Sequence, residues 1–174
     1  VLDADTQASN YGRTRDGVAI DAVILGSAVS PAGRMVTDGL TPVAIEFPEL
    51  ARITGLRWDG GQSDSPLTLT LAFEVEGETL VSWATFVHLY RNGEFVTVLA
   101  DGVPRDGRYP TTDWRPGEQV VATWTLALPA DLPDGEYTVR MGWYDPLTGQ
   151  RLPAMLNGSS APDDSATLLT FMVR

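Results

Sequence analysis

From Asp101 to Pro153 the chain repeats one device. Runs in which every second residue is apolar are cut by short clusters of proline, glycine and aspartate. Val120, Ala122, Trp124, Leu126 and Leu128 share one parity, and Tyr137, Val139, Met141 and Trp143 share another. A period of two places such residues on one face of an extended strand. PADLPDGE (Pro129–Glu136) separates the two runs, and DPLTG (Asp145–Gly149) closes the second. Strands this closely punctuated have no room for crossover helices and must pair antiparallel. A half-apolar antiparallel sheet then buries its face against a second sheet.

The same grammar extends over most of the chain. Strands are expected at Val18–Leu25, Pro42–Phe47, Ala51–Trp58 and Leu67–Val75, the last with the cleanest alternation. Val81–Tyr90 is apolar on both parities, as a central strand should be. Asn92-Gly93 predicts a two-residue hairpin, because both central residues of a type I′ turn need positive φ. Glu94–Ala100 is its return strand, and Asp101–Gly117 is a long irregular connection. Leu152–Leu156 and Ala166–Val173 are the last candidate runs, for an expected total of about eight or nine strands, with SPAGR (Ser30–Arg34), Asp59–Pro66 and NGSSAPDDS (Asn157–Ser165) as connections. The expected fold is an all-β, immunoglobulin-like antiparallel β-sandwich in residues 17–174, preceded by a polar leader or tether in residues 1–16.

Composition narrows the chemistry. The chain has 174 residues, enough for one domain with a core of its own. With no cysteine, disulfides and cysteine metal sites are excluded. The net charge is −11 and all 12 cations are arginine. An acidic chain without a basic stripe is repelled by phosphate backbones, so no nucleic-acid partner is expected. Without lysine, Schiff-base catalysis has no residue to use. No apolar run is long enough to span a bilayer, so no direct membrane insertion is expected. Val1 reads as the start of a processed protein or of a piece of a longer one.

TFVHLY, DGVPRDGRYPTTDWRPGE, LPADLPDGEYTVRMGWYDPLTGQRLP and the closing strand together resemble a known group of domains. They are similar to the C-terminal β-sandwich attached to dolichyl-phosphate-mannose protein mannosyltransferase-like and related bacterial multi-spanning membrane proteins. The resemblance covers roughly residues 67–174. It implies an extracytoplasmic setting beside a glycan or a membrane-embedded protein partner. It transfers no catalytic residue, since glycosyl transfer would belong to the membrane part.

The residues offer several sites, each with a plain structural alternative. Tyr109, Trp114, Trp143 and Tyr144 could form a platform, because the C–H face of a sugar stacks on an aromatic ring. Asp113 and Arg115 would bind hydroxyls beside it. The alternative is that Trp114 plugs an open end of the sandwich with Tyr109 packed under the loop. Asp101, Asp106 and Asp113 share one loop and could supply oxygens to a structural calcium ion, although Asp in Asp-Gly pairs is more often a turn former. Glycoside hydrolysis would need two facing carboxylates. Glu74, Glu94, Glu118 and Glu136 stand in no motif and read as solvated. His88, the lone histidine, has no nucleophile elbow to serve and reads as half-buried and structural. Arg151 is expected to pair with Asp145 across the DPLTG turn. Asn157-Gly158-Ser159 matches a glycosylation sequon, a pattern that chance often produces.

The function expected is therefore that of a non-catalytic extracytoplasmic accessory module, either binding carbohydrate or packing on a membrane partner. The alternatives are a purely structural or protein-interaction domain and, behind it, a glycoside hydrolase.

Overall fold

A computed structural model describes residues 39–59, 67–104 and 108–173, with the backbone of 10–11 and 20–23. Its twelve strands are β1 (Asn10–Tyr11), β2 (Ile20–Val23), β3 (Thr41–Phe47), β4 (Ala51–Asp59), β5 (Leu67–Val75), β6 (Ala84–Arg91), β7 (Glu94–Gly102), β8 (Gln119–Leu126), β9 (Gly135–Tyr144), β10 (Met155–Leu156), β11 (Ser159–Ser160) and β12 (Ala166–Val173). Two 3₁₀ turns, Thr111–Asp113 and Pro162–Asp164, are the helical pieces among the described residues. No helix there is long and apolar enough to cross a membrane.

The strands form two six-stranded sheets, ordered β1-β2-β12-β9-β6-β7 and β11-β10-β3-β4-β5-β8. Every pairing is antiparallel. Consecutive described strands lie in different sheets at β2–β3, β5–β6, β7–β8, β8–β9, β9–β10 and β11–β12. β12-β9-β6-β7 facing β4-β5-β8 is the strand order of an immunoglobulin-like sandwich. The Tyr137 hydroxyl donates to the Pro133 carbonyl at 2.8 Å. That is a tyrosine corner, which ties the start of β9 to the turn before it.

The core lies where the alternating faces meet. Phe47 and Phe73 from one sheet enclose Trp143 from the other, with ring centroids 6.3 and 5.7 Å apart and near-perpendicular planes. Trp114 joins them from the β7–β8 connection, 5.7 Å from both Phe73 and Trp143. Offset and edge-on contacts of this kind suit the quadrupoles of the rings.

β5 and β12 occupy the expected spans, and β3, β4, β7, β8 and β9 agree to within two residues. Asn92 and Gly93 have φ of 49° and 85°, the pair a type I′ turn requires. The central strand instead starts at Ala84, not Val81. Before it, the Val81 carbonyl accepts from the Thr111 hydroxyl at 2.8 Å, and the Trp83 amide donates to that hydroxyl at 2.9 Å. Backbone groups committed to a loop cannot join a ladder. Asn157-Gly158, expected within a plain loop, forms a second tight hairpin between β10 and β11. β1 falls inside the expected polar leader. The turn at Ser30–Arg34 and most of the Asp59–Pro66 connection lie outside the described residues.

Candidate functional site

Two regions gather the chemically able side chains. The first is the connection from β7 to β8. The Tyr109 hydroxyl sits between both Glu118 carboxylate oxygens, at 2.7 and 2.8 Å. The Arg115 amide donates to the same carboxylate at 3.1 Å. Donation to Glu118 is the main reason the Tyr109 phenol is held above its ordinary pKa, with burial second. The Trp114 indole N–H donates to the Tyr109 carbonyl at 3.3 Å, and the ring is 0 % exposed. Arg115 donates to the carbonyls of Thr112 and Trp114. These bonds fold the connection over the open end of the sandwich with Trp114 as its plug.

That geometry corrects part of the sequence reading. Trp114 and Trp143 are both fully buried and present no ring face to a ligand. Tyr109 and Arg115 are tied into the connection itself. Glu118, expected to be solvated, is half-buried because it anchors Tyr109. Asp113 is exposed, its amide bonded to the Pro110 carbonyl at 3.0 Å. Asp106 lies outside the described residues. Among the described residues no three His, Asp or Glu side chains come together as a metal-binding group.

The second region is the outer face of β6, β7 and β9. Phe86, His88 and Tyr90 point the same way from β6. Their cross-strand partners are Gly142, Arg140 and Thr138 on β9, and Asp101, Val98 and Phe95 on β7. The rings form a continuous row, with centroids 4.6 Å apart for Phe86–His88, 5.2 Å for His88–Phe95 and 5.9 Å for Tyr90–Phe95. Tyr144 extends the row beyond Phe86 at 6.3 Å.

Local chemistry decides which rings remain open. Gly142 leaves room for the Phe86 ring. A Cβ there would overlap the Phe86 ring tip and meet the Asp164 carbonyl at 2.7 Å. The Arg151 guanidinium covers Phe86 at 4.5 Å from its centroid, and that of Arg140 covers Tyr90 at 4.9 Å. Both arginines are held from the Pro162–Asp164 turn. Arg151 donates to the Asp163 carbonyl at 2.9 Å, and Arg140 donates to the Pro162 carbonyl and pairs with Asp163 at 3.5 Å. The expected Arg151–Asp145 pair is therefore not formed. Asp145 instead accepts from the Leu147 amide at 2.9 Å and the Thr148 hydroxyl at 2.7 Å. Those two bonds stabilise its ionised form and hold its pKa below the usual carboxylate value.

Phe86 and Tyr90 thus form a floor, while Phe95 is 55 % exposed and His88 and Tyr144 are half-exposed. Burial is the main cause that pushes the His88 pKa down; Arg151 and Arg140 add to it and Asp101 opposes it. Its Nδ1 is buried and has no hydrogen-bond partner among the described residues. The Tyr144 hydroxyl donates to Asp101 Oδ1 at 2.5 Å. That bond, ahead of burial, raises the Tyr144 phenol to about 12.

Sequence reasoning named Tyr144 and Asp101 but assigned them to different sites. It treated His88 as structural and passed over Phe95. The shared parity of Phe86, His88 and Tyr90 was the available signal, masked because β6 is apolar on its other parity too.

These features define an antiparallel β-sandwich with a plugged end and a partly open aromatic sheet face. No protein-family model, curated protein or solved structure matches the chain.

Proposed function

We propose that this chain is a non-catalytic accessory module that binds carbohydrate outside the cytoplasm, attached to or working with a membrane glycosyltransferase-like protein. The observation that carries the reading is the outer face of β6, β7 and β9. There an exposed phenyl ring and a half-exposed imidazole share one sheet face with a carboxylate–phenol pair. Carbohydrate recognition needs that combination. Aromatic faces take the C–H surface of a sugar, and oriented polar groups take its hydroxyls. The resemblance of residues 67–174 to sandwich domains appended to mannosyltransferase-like membrane proteins supports the setting. A glycan array probed with the whole chain tests the reading. Dose-dependent signal on a related group of glycans is expected, and a blank array contradicts it.

One observation favours a second reading, a protein-interaction domain. β8 ends its sheet among the described residues and pairs with β5 over eight residues without a register shift. It carries no charged residue and no proline from Gln119 to Leu126. A flat, uncharged edge strand is a template for another strand. A blank array together with a dimer in light scattering would favour this reading.

A further inference from the structure

We infer that the outer face of β6, β7 and β9 takes a neutral hexose oligosaccharide of two or more sugars, laid along the strands from Phe95 to the Asp101–Tyr144 pair. The inference rests on the carbohydrate-binding reading and adds the ligand's charge, its length and its direction.

Length follows from the register. Phe95 stands opposite Tyr90, and Asp101 stands opposite Phe86, four residues earlier on β6. At the rise of an extended strand the two ends lie about 13 Å apart. That is longer than one pyranose ring, so a single sugar cannot reach both. Val98 and His88 fill the middle rung with an apolar side chain and a half-exposed ring. The open groups therefore form a track along the strands.

Charge follows from what the arginines already do. Arg140 and Arg151 lie over the floor rings and are bonded to the Pro162–Asp164 turn. The exposed carboxylate at the far end is Asp101, on a chain of net charge −11. A uronic acid placed there would meet a like charge. A neutral sugar would instead donate hydroxyls to Asp101, and acceptance by ionised oxygens makes such bonds the stronger kind.

The edge of β7 argues for a ligand on the face over a strand added beside it. Its register with β6 shifts twice, between Val87 and His88 and between Leu89 and Tyr90. Bulges of this kind twist an edge out of pairing. The exposed apolar groups of β7 are thus better placed for a ligand lying across the face.

Calorimetric titration tests the inference. The probes are glucose through cellotetraose, mannose through its α-linked tetramer, and trigalacturonate as the acidic counterpart. Affinity is expected to rise by about tenfold or more from one sugar to three in at least one neutral series. Trigalacturonate is expected to bind more weakly than the neutral trimer. Phe95→Ala should weaken the neutral trimer on the order of tenfold with unchanged thermal melting, and Asp101→Asn by less. Binding by neither neutral series, equal affinity for monomer and tetramer, or tighter binding of trigalacturonate overturns the inference. Undiminished affinity in Phe95→Ala also overturns it. Glycan-array signal alongside any of those results leaves the carbohydrate-binding reading standing, whereas a blank array removes both.

Discussion

The β7–β8 connection and the outer face of β6, β7 and β9 carry the same kinds of side chain and use them in opposite ways. In the connection, the Trp114 indole, the Tyr109 hydroxyl and the Glu118 carboxylate are spent on one another and on nearby backbone. On the face, two guanidiniums cap two rings, and Phe95, His88 and Asp101 stay partly open to solvent. An aromatic-rich loop with flanking charges is thus no guide to a binding site until its hydrogen bonds are traced. A saturated loop stabilises the fold. A face with an open ring and an open carboxylate has chemistry left over.

Substitutions can break that contrast. The largest effect is expected at the plug. Trp114→Ala removes a fully buried ring packed on Phe73 and Trp143, and should cost about 3–5 kcal/mol in chemical denaturation. Phe95→Ala should change stability by no more than about 0.5 kcal/mol, as surface substitutions do. Equal losses would erase the distinction between the two regions.

Gly142→Ala comes next, since the new Cβ would collide with the Phe86 ring and the Asp164 carbonyl. A cost of about 1–3 kcal/mol is expected, the range for an overpacked interior. Because Phe86 is the floor of the face, the ring-current shifts of His88 should change as well. A melting temperature equal to that of the parent would show that the floor is looser than its geometry.

Tyr137→Phe removes the tyrosine-corner bond, and a loss of about 0.5–1.5 kcal/mol is expected by denaturant titration. It should leave both regions otherwise intact, which calibrates the effect of a single bond.

The smallest effect is a pH dependence. His88 titrates below its ordinary 6.5 in the fold, so the unfolded chain takes up a proton first as pH falls. Its contribution to stability is full above that ordinary value and is lost as pH drops through the depressed folded value. His88→Gln should flatten this slope in urea titrations across the mildly acidic range. An unchanged slope would assign it to other groups. Tyr144 gives the mirror case at alkaline pH. Its contribution is full below 10 and fades as pH rises through about 12. Tyr144→Phe should remove that part of the alkaline loss.

Much of the sandwich was legible in the sequence, because strands and turns are local. β5 follows from alternation alone, and Asn92-Gly93 from the φ that its turn demands. The DPLTG turn follows from Asp145, whose short side chain reaches the Leu147 amide. Failures occur where a distant partner decides. β6 begins late because Thr111, 30 residues away, claims the Val81 carbonyl. Arg151 leaves its neighbour Asp145 for a carbonyl at Asp163 and the Phe86 ring. The candidate site failed in the same way. Trp114 and Trp143 belong to the core because two sheets meet there, while Phe95 and His88 become neighbours only through the register of β6 with β7.

A crossed pair of substitutions separates the plug from the open face. Glycan affinity per folded molecule and denaturation midpoint are measured for Trp114→Ala and Phe95→Ala. With a plugged end and an open face, Trp114→Ala should lower the midpoint and leave affinity of the folded fraction near that of the parent. Phe95→Ala should lower affinity and leave the midpoint in place. The reverse pattern, with glycan binding abolished by Trp114→Ala in a stably folded chain and untouched by Phe95→Ala, would contradict it.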